Sequence, residues 1–337
     1  MEWHGKALVA GNSEMTPSLT LLIPAYNASA TIARAVRSAL AEKEVAEVIV
    51  VDDASTDNTV EVARAADDGS GRLKVLVQPG NMGPSAARNR ALAESALPSE
   101  TAWVGILDAD DYFVAGRIAA MLAHTDAADM IADNMLREVA GREMEGRQKL
   151  LDNTTFTAPR TIDFTTFVAS NVTRRGRNRG ELGFIKPLMR RSFLEAHNIH
   201  YREDMRLGED YELYARALAH GARLLLLPEA GYVSVVRANS LSGQHSEHDL
   251  QVLRDCDEDL ARIEGLCAAD HAALRAHYRS VDCRLQWRLL INAVKARDVR
   301  AAAACFARPY PVPFYLIREL WGQLVLRSAR AVKGIGR

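Results

Sequence analysis

Short apolar runs alternate with stretches of helical spacing through the first hundred residues. Residues 19–24 (LTLLIP) form one run, stopped by Pro24. Residues 45–53 (VAEVIVVDD), 72–78 (RLKVLVQ) and 102–108 (AWVGILD) form three more, each of a length suited to a buried strand. Between them, 28–42 carries apolar residues at helical spacing with Ser29 or Thr31 as its cap. STDNTVEVARAA opens on cap-type residues, and SAARNRALAESA follows the turn-rich PGNMGPS. Strand and helix in such short alternation predict an α/β fold, a mostly parallel sheet flanked by helices. Ligands of such sheets collect outside the carboxyl ends of the strands. Polar residues stand at these ends.

The second half is less regular. Residues from about 130 to 180 read as irregular and polar, and the arginine-rich SNVTRRGRNRGELG (170–183) reads as a basic loop, either solvated or in contact with phosphates or a sugar acceptor. FIKPLMRRSFLEAHNI then suggests a strand followed by a helix. YREDMRLGEDYELYARALAHGA is a loop entering an amphipathic helix that ends at Gly221, and RLLLLPEAGYVSVVR supplies one or two strands. From residue 246 the pattern becomes helical. The last segment, 314–334, sets Phe314, Leu316, Ile317, Leu320, Trp321, Leu324 and Val325 on one side and ends on Arg327, Arg330 and Lys333. That makeup fits an interfacial helix on a membrane, and equally a helix packed on the domain. The expected organisation is a lead-in (1–17), one α/β domain (18–245) and a helical C-terminal region (246–337).

A net charge of −1 over 337 residues argues against a general nucleic-acid binder, which would be strongly basic. All four cysteines (Cys256, Cys267, Cys283, Cys305) fall in the last third without C-x-x-C spacing, as expected of inert thiols in a reducing cytoplasm. The N-terminus lacks the basic-then-apolar order of a signal peptide, and there is no apolar run long enough to span a bilayer. A cytoplasmic protein, with at most peripheral membrane contact, is expected.

The chemistry gathers in WVGILDADDYF (103–113), where Asp108, Asp110 and Asp111 crowd the end of an apolar strand. Along extended backbone, residues two apart share a side, so Asp108 and Asp110 can address one ligand. A divalent cation on a diphosphate suits such a pair, because Mg²⁺ and Mn²⁺ take oxygen ligands and often use only one or two protein carboxylates. The alternative is a solvated turn. GED opens the helix YELYARALAHGA, and its acids are favoured by the positive end of the helix dipole. An ionised Asp210 there could accept a proton from a hydroxyl. Alternatively, both acids only cap the helix.

Five segments in fixed order, LLIPAYNASATI, VIVVDDASTDNT, NMGPSAARNRAL, GILDADDYF and RLGEDYELYARAL, resemble the family 2 glycosyltransferases of GT-A fold, over roughly residues 19–242. The last segment also resembles bacterial exopolysaccharide glycosyltransferases of the succinoglycan type. The resemblance implies transfer of a sugar from a nucleotide-sugar, usually a UDP-sugar, with inversion at the anomeric carbon. It implies that Pro24, Ala25, Tyr26 and Asn27 pack on the base and ribose, and that Asp53, with Asp52 beside it, accepts the uracil N–H. It places Asn81, Gly83 and Arg88 at the nucleotide, Asp108 at the ribose or metal-bound water, and Asp110 on Mg²⁺ or Mn²⁺. Glu209 and Asp210 stand where the family keeps its catalytic base. The exopolysaccharide likeness implies an acceptor glycan or a polyprenyl-diphosphate-linked saccharide at the inner membrane face.

Two departures stand out. Where many members have a histidine before S-[LI]-S, this chain has Arg237, with His245 slightly further on, and LQWRLL (285–290) lacks the spacing of the processive Q-x-x-R-W motif. Transfer of one sugar per acceptor is therefore expected. His197-x-x-His200 and His245-x-x-His248 lack a third ligand in a fixed pattern and read as surface histidines. Two rivals remain: a nucleotidyltransferase, which should carry a basic Gly-rich loop after its first strand, and a non-catalytic relative, which should have lost Asp110 or Asp210.

Overall fold

The four early apolar runs form the parallel half of one ten-stranded sheet. In this computed structural model, which describes residues 18–100, 102–141, 146–151, 156–172, 180–236 and 245–334, they are β1 (Ser18–Ala25), β2 (Val45–Asp52), β3 (Leu73–Val77) and β4 (Ala102–Ile106). β2 and β4 flank β1, and β3 borders β2, all in parallel register. Pro24 does not stop β1, because it stays in register with Val51 of β2 while the ladder to β4 ends at Leu22. The N–H that proline lacks would have pointed to that vacated side.

Helices α1 (Ile32–Leu40), α2 (Thr59–Arg64) and α3 (Pro84–Ala93) follow the first three strands. α1 starts without the expected side-chain cap; Thr31 occupies the cap position, but its hydroxyl turns back to the Ala28 carbonyl.

The stretch expected to be irregular contains β6 (Met130–Val139), one of the longest strands of the sheet. Two buried polar residues break its apolar run and hide it in the sequence: Asp133 pairs with Arg117 at 2.7 Å, and the Asn134 side chain exchanges two 3.0 Å bonds with Leu151. RLLLLPEAGYVSVVR becomes one strand, β10 (Leu224–Val236), with two register shifts. Short strands β7 (Gln148–Lys149) and β9 (Leu188–Arg190) pair with β6, and β5 (Tyr112–Phe113) and β8 (Arg160–Ile162) pair with β10. The sheet order is β3-β2-β1-β4-β9-β6-β10-β5. β9 is antiparallel to both β4 and β6, and β10 is parallel to β6. The carboxyl ends of β4, β6 and β10 therefore share the edge reached by β1 and β2.

The remaining helices are α4 (Arg117–Leu122), α5 (Phe164–Ser170), α6 (Arg191–Ala196), α7 (Glu209–Ala219), α8 (Glu247–Leu260), α9 (Ala268–Ala296), α10 (Val299–Phe306) and α11 (Val312–Gly334). α7 stops where expected, with Gly221 at φ +91° beyond its end. α8 and the first half of α9 belong to the sheet's own core through Leu250, Leu253, Cys256, Leu274 and Val281. α10 and α11 form a second, small cluster with the far half of α9, through Cys283, Leu290, Cys305, Val312 and Leu316. Leu316 is fully buried there, so it does not share the side of Phe314, Ile317, Trp321 and Leu324, which are exposed. The side chains of Arg327, Arg330 and Lys333, and the lead-in 1–17, lie outside the described residues. All four cysteines are free thiols, and no described helix is long and apolar enough to cross a membrane.

Candidate active site

Two loops at the carboxyl ends of β1 and β2 are stitched to each other. Asn27, at φ +48°, donates its N–H to Ser55 Oγ (2.8 Å) and accepts from the Thr56 N–H on Oδ1 (2.8 Å); the Ala28 N–H donates to Thr59 Oγ1 (2.8 Å). Pro24 and Ala25 end the strand beneath, and Tyr26 projects 47% exposed from the edge. Asp52 and Asp53 are buried beside this loop. Asp53 organises the third loop: Oδ1 accepts from the Met82 N–H (2.7 Å) and Gln78 Nε2 (3.0 Å), and Oδ2 from the Gly83 N–H (2.8 Å). Both oxygens are thus committed to the chain itself. Asp52 Oδ2 accepts from the Ser55 N–H (3.0 Å), whereas its buried Oδ1 has no partner. Asn81 and Met82 are exposed on the third loop, at the mouth of α3.

Arg88, one turn into α3, is buried and faces acids. It donates to Glu209 Oε1 (2.9 Å) and Asp108 Oδ1 (3.1 Å), with its guanidinium 5.0 Å from the Tyr201 ring centre. Asp108 Oδ2 lies 2.8 Å from Lys186 Nζ, and the same ammonium reaches Asp210 Oδ2 at 2.7 Å. Burial opposes ionisation of Asp108, yet Lys186 and Arg88 outweigh it and hold the carboxyl well below the usual range. Burial likewise opposes the charge on Lys186, and Asp108 and Asp210 raise it above the lysine range. Both charges stay on.

Asp111 has a different role. It is buried, accepts from Tyr232 Oη (2.9 Å) and the Val235 N–H (2.8 Å), and so ties the turn after β4 to β10. Burial first, then the charges of Asp108 and Asp110, push its carboxyl up to about 8. Asp110 sits half-buried at the rim, its carbonyl accepting from Arg34 (3.2 Å). The crowding of acids after β4 is therefore relieved within the chain, by two buried cations on Asp108 and two hydrogen-bond donors on Asp111.

Glu209 and Asp210 open α7 behind Gly208, whose φ of +74° sets the helix start. Asp210 is 8% exposed; Oδ1 accepts from Tyr201 Oη (3.0 Å) while Oδ2 holds Lys186. The structure thus brings Asp108, Arg88, Glu209 and Asp210 into one contact network beside Asp110, and the loops around Tyr26 and Asn81 lie along the same sheet edge. Arg237 lies outside the described residues, and the backbone carbonyl of His245 accepts from Arg288. Lys186, Tyr201 and Tyr232 were not singled out from sequence. A signal existed for the first: a lysine inside the apolar GFIKPLM must find an anion if that run is buried.

The donor set suits a hard divalent ion. Asp108 and Asp110 offer only oxygen, two residues apart at a strand end, although both Asp108 oxygens already meet Arg88 and Lys186. Among the described residues no cluster of three or more His, Cys, Asp or Glu side chains could hold an ion by itself. An ion here would take its remaining ligands from diphosphate and water, as Mg²⁺ and Mn²⁺ readily do.

Comparison with known proteins gives this geometry a family. Residues 20–181 match the model for glycosyl transferase family 2. The chain is 48% identical to the succinoglycan biosynthesis protein ExoU of Rhizobium meliloti over 294 residues, covering 87% of this chain and 84% of that protein. It is 34% identical to ExoO of the same organism, over 78% and 70% of the two chains. Among solved structures, S. aureus TarS 1–349 in complex with UDP-GlcNAc superposes with a TM-score of 0.61 at 18% identity, over 86% of this chain and 90% of that one. The mannosyltransferase PcManGT from Pyrobaculum calidifontis, in complex with GDP-Man and Mn²⁺, gives 0.57 at 20% identity, over 90% and 84%. At those identities the structures speak for the fold, which is GT-A. The chain belongs to glycosyl transferase family 2 and is a glycosyltransferase.

Proposed function

We propose that the enzyme moves one sugar, with inversion, from a UDP-sugar to a saccharide acceptor carried on a polyprenyl diphosphate, in the assembly of a succinoglycan-type exopolysaccharide. The observation that carries the chemistry is the bridge at Lys186: a strand-end acid and a helix-start acid share one ammonium, at 2.8 and 2.7 Å, so the two carboxylates stand side by side. The pathway rests on the likeness to ExoU, and the choice of UDP on the family and on the TarS complex with UDP-GlcNAc.

In this reading Pro24, Ala25, Tyr26 and Asn27 cover the base and ribose, with Tyr26 supplying the exposed ring. Asp52 and Asp53 face the uracil N–H; since Asp53 already holds the Met82 and Gly83 amides, the unpartnered Oδ1 of Asp52 is the acceptor with spare capacity. Asn81 and Gly83 carry the loop that approaches the nucleotide, and Arg88 keeps Asp108 ionised and aimed. Arg237, next in the sequence after β10, is assigned to neutralise diphosphate charge. Asp110, with Asp108 behind it, would hold Mg²⁺ or Mn²⁺. When bound, such an ion neutralises the charge that grows on the departing diphosphate. Asp210 accepts the proton of the acceptor hydroxyl as that oxygen attacks the anomeric carbon, and Glu209, paired with Arg88, holds the helix start in place.

The test is direct. A panel of UDP-hexoses and UDP-N-acetylhexosamines is incubated with the enzyme and Mn²⁺, and UDP release is followed. One donor should give slow release with water as acceptor, and Asp210→Asn should cut it by about 10²–10⁴-fold, the usual weight of a positioned base. No release from any donor, or an unimpaired Asp210→Asn, overturns the reading.

The exposed face of α11 extends it. Phe314, Ile317, Trp321, Leu324 and Val325 lie at helical spacing and are each more than half exposed. A cytoplasmic enzyme acting on a lipid-linked acceptor would use such a face for peripheral contact at the inner membrane surface.

A further inference from the structure

Lys186 is placed with unusual firmness for a lysine. Its side chain is 7% exposed. Its carbonyl accepts from Arg117 (2.7 Å), and Arg117 is itself clamped in a buried pair with Asp133 (2.7 Å), whose other oxygen accepts the Gly231 N–H. Pro187 follows and fixes the next φ. The ammonium is thus anchored through β6 and β10 before it meets Asp108 and Asp210. On the far side of Asp210, Tyr201 Oη fixes the second oxygen, and the Tyr201 N–H is held by Asn89 Oδ1 (2.9 Å) from α3.

A buried ion pair is a poor way to gain stability, because apolar residues of similar volume often do as well or better. An ammonium buried between two acids, with its backbone separately clamped, makes sense if the orientation of an acid matters. We propose that Lys186 is a positioning residue for the transfer reaction: it fixes the Asp210 carboxylate relative to Asp108, and so fixes the base relative to the donor. It touches neither donor nor acceptor and moves no proton. This rests on the reading of Asp210 as the base.

The prediction concerns coupling rather than loss alone. Lys186→Arg keeps the charge but replaces a compact ammonium by a longer planar fork, and misplacement on the ångström scale costs catalysis on the order of 10²-fold. Lys186→Arg and Lys186→Met are compared, each alone and combined with Asp210→Asn, by UDP release from the active donor with Mn²⁺. Calorimetric UDP affinity and thermal unfolding are measured in parallel. Lys186→Arg should unfold near the parental temperature and bind UDP within about threefold of the parent, yet lower kcat by about 10²-fold at little-changed donor KM. Added to Asp210→Asn, it should cost almost nothing more, since both changes remove the same aimed carboxylate. Lys186→Met, which leaves two buried acids unbridged, should follow the same pattern where it folds; Lys186→Arg carries the test where it does not. A Lys186→Arg enzyme at the parental rate, or losses that multiply in the double variant, overturn the inference while leaving Asp210 as base. An Asp210→Asn enzyme at the parental rate removes the base and the inference together.

Discussion

Gly83 shows how much of this site rests on single backbone positions. Its φ of +92° and ψ of +164° fall in a region essentially reserved for glycine, and its amide is one of the two that Asp53 holds. Gly83→Ala has room for its Cβ, since nothing lies within 4 Å, so strain alone decides the result. It should lower the unfolding free energy by about 1–3 kcal/mol in urea titration, and weaken UDP binding because the amides of residues 82 and 83 shift together. An alanine variant as stable as the parent would show that the loop can relax at no cost. At this scale the acids were legible, because Asp108, Asp110, Glu209 and Asp210 stand at ends of elements where charge is out of place without a reason. Their cations were harder to read. Lys186 is separated from Asp108 by 78 positions of sequence, and only the insertion of β9 beside β4 brings them together. The resemblance assigns Arg88 to the nucleotide, and its pairs with Asp108 and Glu209 come from elements no spacing in the sequence connects to α3.

Among the elements, α7 has two working faces one residue apart. Asp210 points to Lys186 and Tyr201, and Tyr211 points the other way, donating to Asp257 of α8 (2.8 Å), which also meets His277 Nδ1 of α9 (2.8 Å). All three side chains are buried, and burial raises the Asp257 carboxyl above its ordinary range. The helices that begin at residue 247 are thereby locked to the helix that carries the proposed base. Tyr211→Phe leaves one buried carboxylate oxygen unpaired, which costs about 1–3 kcal/mol. Urea unfolding should show that loss, and α8 amides should exchange faster with solvent than in the parent; unchanged exchange would mean the ring contact with His277 of α9, at 4.2 Å, suffices to dock the helices. The parallel strands β1 to β4 were legible because apolar residues dominate each run, with only single polar interruptions at Thr20, Glu47 and Lys74. β6 was not, since Asp133 and Asn134 sit in its middle and find partners far off in sequence or in other elements: Arg117 of α4 and Gly231 of β10 for Asp133, and Leu151 for Asn134. α8 and α9 were legible as helices, but not as part of the sheet's core, because periodicity tells which face is apolar and not what it meets.

For the molecule as a whole, the charge is unevenly spread. From Lys295 to Arg337 there are nine basic residues and two acidic ones, in a chain whose net charge is −1. The same region carries the exposed apolar face of α11, where Phe314 and Trp321 are each 69% exposed, while Val312 and Leu316 on the other side of the helix hold it against α9. An apolar stripe within a basic segment is matched by an anionic bilayer surface, where each basic residue adds about 1 kcal/mol and the aromatic rings insert at the headgroup level. The enzyme should therefore sediment with vesicles containing phosphatidylglycerol and much less with pure phosphatidylcholine, and salt should weaken the attachment as it screens the charges. Replacing Phe314, Ile317, Trp321 and Leu324 together by serine should abolish sedimentation while leaving thermal unfolding and UDP release near parental values, because all four are exposed and surface substitutions usually shift stability by no more than about 0.5 kcal/mol each. Were the four-serine variant still to sediment with anionic vesicles, the basic residues alone would be the anchor. Were its unfolding temperature to fall sharply, the face would be covered by protein instead, and size-exclusion chromatography of the parent would then show an oligomer that the variant cannot form.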